Sequence, residues 1–134
     1  MNPALKPLHD ARAAEKEQTL FYRSLAAEAE AAEDPATAER LNGLLADEQH
    51  HLSRLTARLL ELGERVADLT DSTTPPAALT DWEAEARARE SAEVARYQAI
   101  PTTELDPITR VLIEEILATE RNHQRELGGK WTMA

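Results

Sequence analysis

The sequence predicts an all-α protein, a four-helix bundle made of two helical hairpins joined by a long crossover. Three observations predict it. Alanine, leucine, glutamate and arginine dominate the 134 residues, glycine is scarce and β-branched residues are sparse, a composition that favours helix throughout. Asp34-Pro35 and Asp106-Pro107 each set a capping aspartate before a proline, and proline suits the first helical position. The two halves of the chain also echo each other. Ala11-Arg12-Ala13-Ala14-Glu15 matches Ala86-Arg87-Ala88-Arg89-Glu90, and Leu45-Ala46-Asp47-Glu48-Gln49-His50-His51 matches Leu117-Ala118-Thr119-Glu120-Arg121-Asn122-His123.

The elements follow in order, all within one domain spanning 1–134. The first helix is expected over about 7–33, opening at Pro7 and closing before Asp34. The second is expected over about 35–62, with Gly63 as its C-cap. The short connection between them makes the pair antiparallel. Residues 63–80, with Asp71-Ser72-Thr73-Thr74 and Pro75-Pro76, read as a crossover. Extended at about 3.3 Å per residue, such a segment spans the length of a bundle. The third helix would then start at the end where the second started. Thr80-Asp81-Trp82-Glu83 reads as a capping box, opening a helix over about 81–100 that Pro101 ends. The fourth is expected over about 107–127, stopped by Gly128-Gly129.

Composition excludes several functions. A net charge of −10 argues against nucleic acid and anionic membranes as partners. It also raises the local concentration of cations, although the same charge serves solubility alone. Without cysteine there is no disulfide, iron–sulfur cluster or thiolate zinc site. No apolar run is long enough to span a bilayer, and the N-terminus has no signal-peptide core, so a cytoplasmic location is expected.

The informative residues are acids on the wrong face. The second helix has a leucine stripe at helical spacing, Leu41, Leu44, Leu45, Leu52, Leu55, Leu59 and Leu62, and Glu48 and His51 fall inside it. On the fourth helix Glu120 and His123 fall inside the stripe of Leu112, Ile113, Ile116 and Leu127. Glu15 and Tyr22 share the inward face of the first helix with Gln18; Glu90, Glu93 and Tyr97 share that of the third. Isolated charges in an apolar interior cost more than a domain's whole stability. Two divalent metals would supply the missing charge. Glu and His three residues apart share a helix face about 4.5 Å apart along the axis. A lone Glu on two helices and Glu-x-x-His on the other two is how a bundle supplies a dinuclear carboxylate site. Oxygen-rich ligation with one imidazole per metal suits iron or manganese.

A Glu three residues before a His is weak evidence alone, and a metal-free bundle with solvated carboxylates is the competing reading. The doubled Glu-to-Tyr spacing, the internal repeat and the stripe placement together favour the metal site. His50 points about 100° away from His51 and is expected to be solvated, as are Glu114 and Glu115. His9 lies in an early turn without an evident partner. Glu17 points off the stripe that Glu15 occupies. Tyr22 and Tyr97 read either as core aromatics or as hydrogen-bond partners of ligating carboxylates.

On these residues the chain resembles the rubrerythrin branch of the ferritin-like superfamily, over roughly Leu8 to Leu127. Ala14-Glu15-Lys16-Glu17-Gln18-Thr19-Leu20-Phe21-Tyr22 is similar to that family's first-helix motif. The resemblance implies a ferritin-like bundle holding two iron ions, with manganese as the alternative. It implies Glu15, Glu48, His51, Glu90, Glu120 and His123 as ligands, with Glu48 and Glu120 bridging. Rubrerythrins carry a second acid one turn after the third-helix Glu, where it takes part in a redox-linked shift of coordination. Glu93 stands at that place here and is expected to ligate and to relay a proton. Gln18 stands at the equivalent place on the first helix, and the Glu90-to-Tyr97 spacing is one residue shorter than the family pattern.

The resemblance further implies a redox enzyme acting on hydrogen peroxide or dioxygen, paired as a homodimer. Rubrerythrins usually add a rubredoxin domain, which needs four cysteines. A peroxide reductase of this sequence is therefore expected to draw electrons from a separate donor protein. The alternative is an iron-handling ferroxidase that passes Fe(III) to a store or compartment.

Overall fold

The computed structural model describes residues 2–127. Its helices are α1 (Lys6–Ala31), α2 (Pro35–Glu61), α3 (Trp82–Gln98) and α4 (Pro107–Leu127), with short 3-10 turns at Pro3–Leu5 and Thr102–Glu104. Among the described residues there is no strand, and no helix is long and apolar enough to cross a membrane. The Gly128-Gly129 stop expected after α4 lies outside the described residues.

Both Asp-Pro signals act as caps. Asp34 Oδ1 accepts from the Thr37 amide at 3.2 Å. Asp106 Oδ1 accepts from the Thr109 amide at 2.9 Å and its Oδ2 from the Thr109 hydroxyl at 2.6 Å. These bonds to Thr109, with Arg58 nearby, hold the Asp106 carboxyl down at about 2. Two helices end alike. After α2, Gly63 turns left-handed at φ 81° and the Glu64 amide reaches back to the Leu59 carbonyl. After α1, Glu33 takes the same turn at φ 57°, with the Asp34 amide bonding the Ala29 carbonyl. This is the Schellman arrangement, normally given to glycine.

The expected capping box at the start of α3 does not form. Asp81 is the N-cap, left-handed at φ 60° and without a side-chain cap bond, whereas a capping box needs an extended N-cap. Glu83 pairs instead with Arg40 at 3.3 Å. The sharp turn at Asp81 delivers Trp82 into the core, with the Arg40 guanidinium 4.9 Å from its ring. The helix also closes at Gln98, two residues short of the expected end, and Ile100 is buried beyond it.

α1 packs chiefly on α2 and α3 on α4, with further contacts between α1 and α3 and between α2 and α4. Two apolar clusters show how the helices run. One joins Leu5 and Leu8 at the start of α1 to Leu55 and Leu59 at the end of α2. It also holds Tyr97 and Ile100 at the end of α3 and Leu112 and Ile113 at the start of α4. The other joins Phe21, Tyr22 and Leu25 of α1, Ala38 and Leu41 of α2, Trp82 and Ala86 of α3, and Leu127 of α4. Neighbouring helices are therefore antiparallel, and α3 starts at the end where α2 started. The crossover makes that possible. Val66 packs on the first cluster, and Ala77 and Leu79 on the second. Arg12 and Arg89 pin it through the Ala67 carbonyl (2.9 Å) and the Thr74 hydroxyl (2.8 Å). Between the two plugs lies a layer that is buried but polar.

Candidate metal centre

That layer holds Glu15 and Gln18 from α1, Glu48 and His51 from α2, Glu90 and Glu93 from α3, and Glu120 and His123 from α4, all buried. The helical period places them. Each acid sits on its helix's inward stripe, and each His follows its Glu by three residues. Glu17, His50, Glu114 and Glu115 are exposed. His9 has a partner after all, Glu64 at 2.9 Å, far outside the layer in sequence and depth.

Two groups of potential ligand atoms form within the layer. Glu15, Glu48, His51 and Glu120 offer atoms that all lie within 4.8 Å of one another, and so do Glu48, Glu90, Glu120 and His123. The groups share Glu48 and Glu120. His51 Nδ1 lies 3.1 Å from Glu48, 3.4 Å from Glu15 and 3.8 Å from Glu120. His123 Nδ1 lies 3.1 Å from Glu120 and 3.5 Å from Glu90, and its outer Nε2 meets Asp47 Oδ2 at 2.8 Å. Asp47 on α2 thus backs the imidazole of α4, the outer carboxylate that orients a metal-binding histidine.

The tyrosines cross over. Tyr22 on α1 donates to Glu90 on α3 at 2.5 Å, and Tyr97 on α3 donates to Glu15 on α1 at 2.5 Å. Each phenol serves the carboxylate of the other hairpin rather than the one seven residues before it. Burial pushes both phenols well above their usual range, and the carboxylates they bond push them further. Both phenols stay protonated donors.

The acids cannot all be ionised together. Burial, then repulsion from Glu15, Glu90 and Glu120, drives Glu48 well above the carboxylate range. Burial, then Glu15 and Glu120, lifts Glu93 to about 9, although Arg96 lies 3.8 Å away. Glu120 rises to about 7, burial outweighing the attraction of the His123 ring 3.1 Å away. Burial lowers His123, but Glu120, Glu90 and Asp47 more than offset it and carry it to about 11. Among the described residues, six buried side-chain atoms have no hydrogen-bond partner: Glu15 Oε1, Glu90 Oε1, Glu93 Oε2, both oxygens of Glu120, and His123 Nδ1. Leaving such groups unsatisfied is expensive. They are five carboxylate oxygens and one imidazole nitrogen, a donor set that fits hard or borderline divalent cations such as iron or manganese. The chemistry of the residues therefore fits metal binding.

Sequence reasoning missed the tyrosines' cross-hairpin partners, Asp47, and the Arg89 contact to Gln18. Gln18 was readable, as an amide on the inward stripe one turn after Glu15. Asp47 gave no signal, because an acid on a solvated face looks like any other. A family model described as Rubrerythrin matches residues 6–129 of the chain. No curated protein matches it.

Proposed function

The chain belongs to the rubrerythrin family of ferritin-like bundles, and on that premise we propose that it is a di-iron oxidoreductase reducing hydrogen peroxide or dioxygen. The observation that carries this reading is the buried layer of five glutamates and two histidines with six unsatisfied polar atoms. Glu15, Glu48, His51 and Glu120 would hold one ion, and Glu48, Glu90, Glu120 and His123 the other. When bound, the iron pair supplies two electrons, and with two protons these convert one hydrogen peroxide to two waters as Fe(II) becomes Fe(III).

The surrounding residues do the rest. Tyr22 and Tyr97 hold Glu90 and Glu15 each by one oxygen, leaving the other oxygen of each free of hydrogen bonds. Asp47 fixes the His123 ring so that Nδ1 faces the layer. Burial and the neighbouring Glu15 and Glu120 lift the Glu93 carboxyl to about 9, so in this reading Glu93 would release or take up a proton there. Apolar clusters pack on either side of the layer. Electrons for a second turnover would come from a separate donor protein.

The test is anaerobic Fe(II) titration followed by peroxide. Two Fe(II) bound per chain, and one peroxide consumed for every two Fe(II) oxidised, is the expected result. A chain that binds no Fe(II) would overturn the reading. A second reading, iron handling by the same ligands, has one observation in its favour. A groove in which Glu39, Asp47 and Glu126 outnumber the one cation, Arg40, opens beside His123. Iron accumulating beyond two per chain would favour it.

A further inference from the structure

The two hairpins differ one turn beyond their lone ligand-type glutamates. On α3 that place is Glu93, an acid; on α1 it is Gln18, an amide. Gln18 is fully buried and uses both ends of its side chain. Its Oε1 accepts from Arg89 Nη1 at 3.2 Å, and its Nε2 reaches Glu48 Oε2 at 3.3 Å and Glu90 Oε2 at 3.5 Å. A guanidinium only donates, so the Gln18 amide must turn its oxygen to Arg89 and its nitrogen to the glutamates. Arg89 is itself held on three sides. Its guanidinium lies 4.2 Å from the Phe21 ring centre, its Nη2 bonds the Thr74 hydroxyl at 2.8 Å, and its Nε lies 3.9 Å from Glu85.

We propose that Gln18, clamped by Arg89, is a positioning residue that holds Glu90 and Glu48 and makes the metal position at Glu90 and His123 the weaker of the two. This rests on the two-metal reading above. Glu93 is repelled more by Glu15 and Glu120 than by Glu90, which puts this further acid toward the position at Glu15 and His51, with Arg96 3.8 Å from it. The position at Glu90 and His123 has a neutral donor in its place, with a guanidinium behind it. Asp47 supports His123, but it is half in solvent, where its charge is screened. Gln18 offsets part of the deficit by orienting the two carboxylates that this position does have.

Titration with Co(II) alone, followed by visible absorption and calorimetry, tests this on the full chain. Wild type is expected to bind two ions in two resolved steps. Gln18→Leu removes the donor and should loosen the weaker step by about 10- to 100-fold, the usual loss for an outer-layer partner of a metal ligand, and the tighter step, which Gln18 touches only through the shared Glu48, by less. Gln18→Glu supplies the acid that Glu93 supplies opposite and should tighten the weaker step toward parity. Opposite shifts from the two variants are what a packing role would not produce. If Gln18→Glu folds only with metal present, Arg89→Met replaces it and should loosen the weaker step as Gln18→Leu does. Two ions bound with the same isotherm in wild type and Gln18→Leu, or both steps weakened alike by every variant, would overturn the inference alone. No Co(II) bound by wild type would overturn the two-metal reading and this inference with it.

Discussion

The α1–α2 hairpin and the α3–α4 hairpin bring matching residues to the centre, a lone Glu and a Glu-x-x-His from each. Their surroundings have diverged. The first hairpin adds an amide at Gln18, locked by a cation; the second adds an acid at Glu93 with an unsatisfied oxygen. Asp47 of the first hairpin backs His123 of the second, while Thr119, its counterpart in the repeat, bonds the Glu115 carbonyl of its own helix instead. The helical period conserves which residues meet at mid-bundle. Nothing in that period constrains the residues one turn away or one position to the side, and these decide charge and proton content. A site built from a sequence repeat is thus twofold in its donors and unequal in its chemistry.

The largest effect should separate shared from unshared carboxylates. Glu48 belongs to both ligand groups and Glu15 to one. Glu48→Ala should lower Fe(II) uptake from two ions per chain to at most one, weakly held, whereas Glu15→Ala should leave one ion bound. Retention of two ions by Glu48→Ala would break the ligand assignment. Metal should also stabilise the fold. Each ion present at a hundred times its Kd adds about 2.7 kcal/mol, so two add about 5. For a chain of this size that is a rise in Tm on the order of 15–20 °C. Equal melting with a chelator and with Fe(II) would leave the layer without a counter-cation.

A pH series tests the acid of the second hairpin. Glu93 rises to about 9 in the folded, metal-free protein, against about 4.3 when unfolded. Folding therefore takes up a proton between those values, and stability falls as pH rises through that window, at up to about 1.4 kcal/mol per pH unit for one group. Glu120, raised to about 7, and His123, raised to about 11, slope the same way. Metal binding releases protons and so strengthens with pH. The Tm of the metal-free protein should fall from pH 5 to 9 while the gain from metal grows. Glu93→Gln, which makes the second hairpin resemble the first at this position, should flatten the metal-free profile by about one proton's worth. An unaltered slope in Glu93→Gln would take the proton away from this residue.

Most of the fold and the donors at the centre were legible in the sequence, because both follow from periodicity. Leu41 through Leu59 mark the inward stripe of α2, and Glu48 and His51 are visible as its interruptions. Asp34 and Asp106 cap as their prolines announce. What escaped was whatever depends on tertiary approach. The phenol of Tyr22 meets Glu90, 68 positions away, and no spacing within one helix reveals that. Arg89 reads as a surface cation until the crossover brings Thr74 to it. The capping box at Thr80 was locally sound, but burial of Trp82 set the backbone of Asp81 instead.

The smallest effect gives the finest comparison, between the two phenols. Both donate at 2.5 Å to a buried carboxylate, and a hydrogen bond to a charged group contributes about 1.5–3 kcal/mol. Their acceptors are not equally supported. Glu90 Oε2 also faces the Gln18 amide at 3.5 Å, whereas Glu15 Oε2 has Tyr97 and, at ion-pair distance, His51. Tyr22→Phe therefore leaves its carboxylate with a donor from the same hairpin as the lost one. Tyr97→Phe leaves Glu15 dependent on an imidazole that a metal would claim. In metal-loaded protein, Tyr97→Phe should cost more than Tyr22→Phe by about 1 kcal/mol, roughly one ordinary hydrogen bond. Denaturant unfolding of the two variants with Fe(II) present measures it. Gln18→Leu combined with Tyr22→Phe should close the gap. If the gap persists in that double variant, the amide gives Glu90 no support.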